Sequence, residues 1–146
     1  MTDQELLRQA IEESRRSVSA GHFPAGAVIA REGVVLAQSI SDVHPGYQHA
    51  ECKAVDQAFA AQKTLQGATL YASMEPCLMC LTRAYWAGIR RFVFALPQDS
   101  LPIHFYEGRN TNTKMVKLFN EKLTFIHLKK MEQEANGIVQ HWLARQ

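Results

Sequence analysis

The residues with the most chemical potential stand in two short stretches, His49-Ala50-Glu51 and Pro76-Cys77-Leu78-Met79-Cys80. Together they supply one imidazole, one carboxylate and two thiols. Nitrogen and sulfur donors suit a tetrahedral zinc ion, and a hydrolytic zinc site uses three protein ligands with the fourth position left open. His49, Cys77 and Cys80 make such a set, which leaves Glu51 as an acid–base group beside the metal. Zinc lowers the pKa of bound water from 15.7 to about 7, which makes a nucleophile near neutral pH. Such a nucleophile attacks an sp² carbon carrying an exocyclic amine, and the nitrogen then leaves as ammonia. Glu51 is suited to take the water proton, pass it to a ring nitrogen and then protonate the amine. General acid–base help of this kind contributes about 10²–10⁴-fold. Cys52 opens an alternative. H-x-x-C with C-x-x-C would make a closed Cys₃His structural site, the mark of a non-catalytic domain, but that leaves Glu51 and Pro76 without a role. Otherwise Cys52 is a small buried hydrophobe.

The elements that must carry these residues follow from pattern. Thr2-x-x-Glu5 is a capping box for a helix bearing Leu7, Ala10, Ile11 and Val18, with Gly21 as its stop. Ala27–Ala30 and Val34–Ala37 form a β-hairpin with Gly33 in the turn. Ser39–Gln48, with Pro45-Gly46 inside it, is a loop. His49–Gln62 is a helix whose buried face carries Ala50, Ala54, Val55, Ala58 and Phe59. Ala68–Ala72 is a strand, and Cys77–Ala87 a helix with Pro76 at its start and Gly88 at its close. Phe92–Leu96 is apolar on both faces, as an interior parallel strand would be. Gln98–Asn110 is irregular. A short helix with Met115, Leu118 and Phe119, a strand over Leu123–Leu128 and a last helix with Met131, Ala135, Ile138, Val139 and Trp142 on one face complete the chain. Cys77 and Cys80, three apart in a first turn, face the same side, and a helix N-terminus favours the thiolates that bind metal.

The chain has 146 residues, 47% of them apolar and 21% charged, as expected of a single globular domain spanning residues 1–146. Its formal charge of +2 gives no support to a nucleic-acid partner. Three cysteines make no disulfide framework and read as metal ligands in a reducing, cytoplasmic setting. The N-terminus has no apolar signal-peptide core, and no run is long enough for a membrane span. Arg90-Arg91 and Lys129-Lys130 read as solvated faces, Glu75 as a local hydrogen-bonding residue, and His22, His44, His127 and His141 as surface or core residues.

The two motifs resemble the zinc-dependent cytidine deaminase superfamily. Pro24-Ala25-Gly26-Ala27-Val28 looks like its P-x-G-A-V first strand. Gly67-Ala68-Thr69-Leu70-Tyr71-Ala72-Ser73-Met74-Glu75-Pro76-Cys77-Leu78-Met79-Cys80 is very similar to the same stretch in bacterial tRNA adenosine deaminases and guanine deaminases. Ile89-Arg90-Arg91-Phe92-Val93-Phe94 resembles their next strand. The resemblance covers residues 1–96. It implies an α/β fold, a three-layer α/β/α sandwich with a five-stranded mixed sheet, as well as a homodimer and hydrolytic deamination of a small amino-bearing base. By motif position it makes His49, Cys77 and Cys80 ligands to one zinc ion and Glu51 the proton shuttle. A tRNA substrate is the alternative within the family. One feature departs from the pattern. These families place an asparagine after the second strand, and the stretch here, Ala37-Gln38-Ser39-Ile40-Ser41-Asp42, has none. Ser41 and Asp42 are the polar residues in its place. Phe23, His104, Phe105 and Tyr106 are the aromatic candidates for stacking on a base.

Overall fold

The computed structural model describes residues 1–146. Helix α1 (Asp3–Ser19) starts at Thr2, whose hydroxyl accepts the Glu5 amide at 3.2 Å while the Glu5 carboxylate accepts the Thr2 amide at 3.4 Å. This reciprocal cap satisfies amides the first turn leaves free. The hairpin follows as β1 (Gly26–Arg31) and β2 (Val34–Ile40). Then come α2 (Ala50–Gln62), β3 (Thr69–Met74), α3 (Leu78–Ala87), β4 (Arg91–Leu96), α4 (Thr111–Met115), β5 (Thr124–His127) and α5 (Glu132–Leu143). The segment between β4 and α4 is irregular apart from two single 3₁₀ turns.

The five strands lie in the order β2-β1-β3-β4-β5. β1 is antiparallel to both neighbours, and β3, β4 and β5 are parallel. Helices α1 and α5 pack on one face, through Leu7, Ile11, Met131 and Val139. Helices α2 and α3 cover the other, through Ala54, Val55, Leu81 and Ala84. That covering explains why β3 is buried at every position and β4 at all but Arg91, since strands between two helical layers have no wet face. β2, at the sheet edge, is mostly half-exposed. No helix is long and apolar enough to cross a membrane.

The topology sets where chemistry can happen. β1 runs against β3, with Ala27 opposite Ala72, so the start of β1 lies beside the end of β3. The end of β2 lies there too, with Ile40 opposite Gly26. The segments before β1, after β2 and after β3 and β4 therefore gather at one end of the sheet, the carboxyl end of the parallel strands where open α/β sheets bind ligands.

Three expectations are corrected. Phe59 is 42% exposed because it sits at the margin of the apolar stripe of α2, beside Trp86 of α3 rather than over the sheet. Arg91 is no solvated charge. Its guanidinium makes two bonds to Asp3, of 2.9 and 2.6 Å, and Tyr71 donates to the same carboxylate at 2.7 Å, which ties the start of α1 to the sheet. Pro76 precedes the helix cap Cys77 instead of occupying the first helical turn.

Gly26 marks the closest approach of α1 to the sheet. A Cβ there would overlap the Ala10 carbonyl and the Ser14 amide, backbone groups that no rotamer change can move. Gly26→Ala is expected to destabilise the fold by about 1–3 kcal/mol, measured by chemical denaturation. Gly137→Ala, in α5 with nothing within 4 Å of the added atom, is the control and gains roughly 0.5–1 kcal/mol of helix propensity.

Candidate active site

Helices α2 and α3 pack against each other, and their N-termini meet at the site. His49 and Cys77 are the cap residues of the two helices, both with extended backbone, and neither side chain caps its own helix. Their donor atoms are free for another partner. The His49 Nδ1 atom lies 3.4 Å from the Cys77 sulfur and 3.5 Å from the Cys80 sulfur. All three donor atoms fall within 4.8 Å of one another. Zn–N and Zn–S bonds of about 2.05 and 2.3 Å at a tetrahedral angle put nitrogen and sulfur about 3.5 Å apart. The spacing is that of a tetrahedral edge.

The imidazole is also oriented for a metal. His49 Nε2 lies 2.8 Å from the Gly46 carbonyl, which can only accept. Nε2 therefore carries a hydrogen, which leaves Nδ1 as the ring nitrogen that faces the thiols. The thiols themselves call for a cation. The Cys77 thiol is held down to about 4, first by its hydrogen bond with Cys80 and then by the one with His49. Cys80 is pushed up by Cys52 and Cys77. Two sulfurs this close resist a second negative charge, and a divalent cation between them removes that resistance. The set fits one zinc ion. Cys52, buried, has its sulfur 3.3 Å from that of Cys80 but stands outside the group of three.

Glu51 is the second residue of α2 and only 6% exposed. Burial, then the charge of Cys77, raises its carboxyl to about 7. A carboxyl near neutrality can both take up and return a proton. Glu51, His49 and Cys77 line a cleft with about 470 Å³ of empty space, counted to its open mouth.

Of the six residues expected to contact substrate, Phe23, Ser41, Phe105 and Tyr106 line this cleft. Asp42 does not. Its carboxylate is paired with Lys53 at 3.2 Å, while its carbonyl accepts the Phe23 amide at 3.1 Å. Ser41 and Asp42 follow β2: Ser41 is buried in the cleft wall, its amide held by the Ala25 carbonyl at 3.2 Å, while the Asp42 side chain turns away to Lys53. His104 is exposed and does not line the cleft; its ring packs behind two residues that do, Phe105 at 5.0 Å and His44 at 6.1 Å. His44, expected as an ordinary surface or core residue, lines the cleft and stacks on Phe23 at 4.7 Å. Trp142 packs edge-on to Phe23 at 5.3 Å and lies 6.5 Å from the His44 ring. No local pattern distinguishes His44, because it reaches the cleft from a loop without periodicity.

The probable cytosine deaminase of Schizosaccharomyces pombe is 36% identical over 102 residues, 68% of this chain and 63% of that protein. The tRNA-specific adenosine deaminase of Bacillus subtilis is 34% identical over 100 residues, 64% of this chain and 62% of that protein. The matched stretch thus spans less than two thirds of these relatives. Among solved structures, the guanine deaminase of Nitrosomonas europaea superposes with a TM-score of 0.81 at 25% identity, over 95% of this chain and 83% of that one. The guanine deaminase of Bacillus subtilis superposes with a TM-score of 0.68 at 26% identity, over 99% and 95%. These superpositions include the tail beyond β4, where motifs run out. Residues 1–96 match the family described as the cytidine and deoxycytidylate deaminase zinc-binding region, and the chain belongs to that family.

Proposed function

We propose that this chain, as one domain of residues 1–146, is a zinc-dependent hydrolytic deaminase. It replaces the exocyclic amine of a nucleobase or nucleoside by a carbonyl and releases ammonia. One observation carries this: the buried Glu51 carboxyl shares an aromatic-walled cleft with His49 and Cys77, two of the three grouped donors. His49, Cys77 and Cys80 hold the metal. Bound there, zinc supplies a water activated for attack at neutral pH. Glu51 accepts the water proton, hands it to the ring nitrogen beside the attacked carbon, and then protonates the departing amine. Phe23, Phe105 and Tyr106 wall the cleft against water and present apolar surface to a flat ring, and Ser41 offers a hydroxyl to its edge. A flat heterocycle suits such walls, since aromatic faces stack on any base.

The test is ammonia release from purified protein given guanine, cytosine, adenine and their nucleosides. Turnover of at least one, abolished by chelation and restored by zinc, supports the proposal. No release from any of them, with zinc bound, overturns it for these substrates. A tRNA substrate is the second reading, supported by the likeness to tRNA-specific adenosine deaminases. It requires affinity for tRNA that falls steeply with salt.

We also infer a homodimer in the cytoplasm, the reducing compartment suited to three free cysteines. Trp86 is 85% exposed and stands on the outer face of α2 and α3 with Phe59, next to the Arg83–Asp56 ion pair. An exposed patch of this kind, apolar at the centre with charge at the rim, suits a second copy of the same face. Light scattering is expected to give about twice the chain mass of 16.5 kDa, and Trp86→Glu to give the monomer.

A further inference from the structure

The irregular segment between β4 and α4 buries few apolar side chains, yet it makes the densest set of polar contacts near the metal group. All of them converge on the short connection Glu75-Pro76-Cys77-Leu78, which delivers both thiols. Asn112 is the hub. It is 3% exposed, and its Nδ2 donates to the Pro76 carbonyl at 2.7 Å and to Glu75 Oε2 at 2.8 Å. The other Glu75 oxygen accepts the Gln98 amide at 2.9 Å. The Tyr106 hydroxyl donates to the Glu75 carbonyl at 2.7 Å. The Leu78 amide, the first of α3, donates to Glu107 at 2.5 Å. Residues 98–112 thus hold the Glu75 and Pro76 carbonyls, the Glu75 carboxylate and the Leu78 amide. The cost is visible in Asn112 itself, whose Oδ1 is buried without a partner. Buried polar atoms are rarely left so, and reversing the amide would turn its oxygen against two acceptors. The side chain is held by its donors, in an orientation that serves the connection rather than Asn112.

We propose that Asn112 is a positioning residue for the metal centre. With Glu107 as its outer partner, it straps the 98–112 segment over the Glu75–Leu78 connection and fixes the direction in which Cys77 and Cys80 present their sulfurs. The proposal rests on the metal role of those cysteines given above, but not on any substrate. Outer contacts of metal ligands are worth about 10–100-fold in affinity. Asn112 acts one residue removed from Cys77, so an effect of about tenfold, the low end, is expected.

The experiment reads the metal directly on the full chain. Zinc affinity is measured by competition with a chromophoric chelator, and ligand geometry by the visible spectrum of the cobalt(II)-loaded protein. Asn112→Ala is expected to lose about tenfold in zinc affinity, and to shift or weaken the cobalt bands of tetrahedral coordination. An unchanged cobalt spectrum overturns the proposal, whatever the affinity. Should Asn112→Ala fail to fold, Glu107 decides, because its side chain is exposed and no core depends on it. Glu107→Ala is expected to perturb the cobalt spectrum, and Glu107→Gln, which keeps an acceptor for the Leu78 amide, to restore it. No perturbation in Glu107→Ala, or none of it recovered in Glu107→Gln, overturns the strap. Because no step of the test uses turnover, absence of ammonia release would sink the deaminase proposal and leave this one standing.

Discussion

Cys77→Ala is expected to strip the protein of zinc. The residue is one of the three proposed donors, and its sulfur lies 3.4 Å from His49 Nδ1, the separation a tetrahedral zinc site would need. Losing a ligand outright exceeds the loss of an outer contact, so affinity should fall by more than about 100-fold. The loss extends to the fold. A ligand that binds only the native state stabilises it by RT ln(1 + [L]/Kd), about 4 kcal/mol at a thousand times Kd. Chelation is therefore expected to lower the melting temperature of the wild-type protein and leave that of Cys77→Ala unmoved. Elemental analysis and a melting curve with and without chelator make the check. Full zinc content in Cys77→Ala would remove the assigned ligand set. Cys52→Ser is the companion measurement. Its sulfur touches Cys80 but lies outside the group of three, so zinc content should stay near one per chain.

Glu51→Gln separates chemistry from metal binding. The amide keeps the volume of a side chain only 6% exposed, and it removes a carboxyl that burial already holds up near neutrality. Stability and zinc content should stay close to wild type. Turnover should not. An amide cannot ferry a proton from water to ring nitrogen to departing amine, and loss of about two to four powers of ten corresponds to roughly 3–5 kcal/mol on the barrier. The measurement is the turnover number on whichever amine the screen identifies, with zinc content determined on the same samples. Near-normal turnover in a zinc-loaded variant would take the proton shuttle away from Glu51.

The sequence by itself pointed to the proposed donor set and to most of the elements that carry it. Metal ligation demands particular residue types, and their local spacing follows from the helix on which they sit. Cys77 and Cys80 can be read together because one turn brings them together, as a cap and the third helical residue. The Thr2–Glu5 box, the apolar run of β4 and the alternation of strand with helix are likewise local. Each reflects hydrogen bonding or burial within a dozen residues, so no knowledge of the partner is needed.

Only the tertiary structure decided what else faces the metal. Just past the end of β2 the chain turns Ser41 toward the cleft and Asp42 toward Lys53, which pairs with its carboxylate. The sheet order β2-β1-β3-β4-β5 brought Phe23, His44, Phe105 and Trp142 together. The hub of the strap, Asn112, is in sequence only one polar residue of the short helix α4. In space its side chain serves Glu75 and Pro76 instead, 37 and 36 residues earlier. Contacts of this kind leave no period or spacing in the chain, because their partners are joined by the packing of the sheet and not by any one element. A polar side chain in an irregular loop acquires its role from whichever unpaired donor or acceptor the fold sets before it.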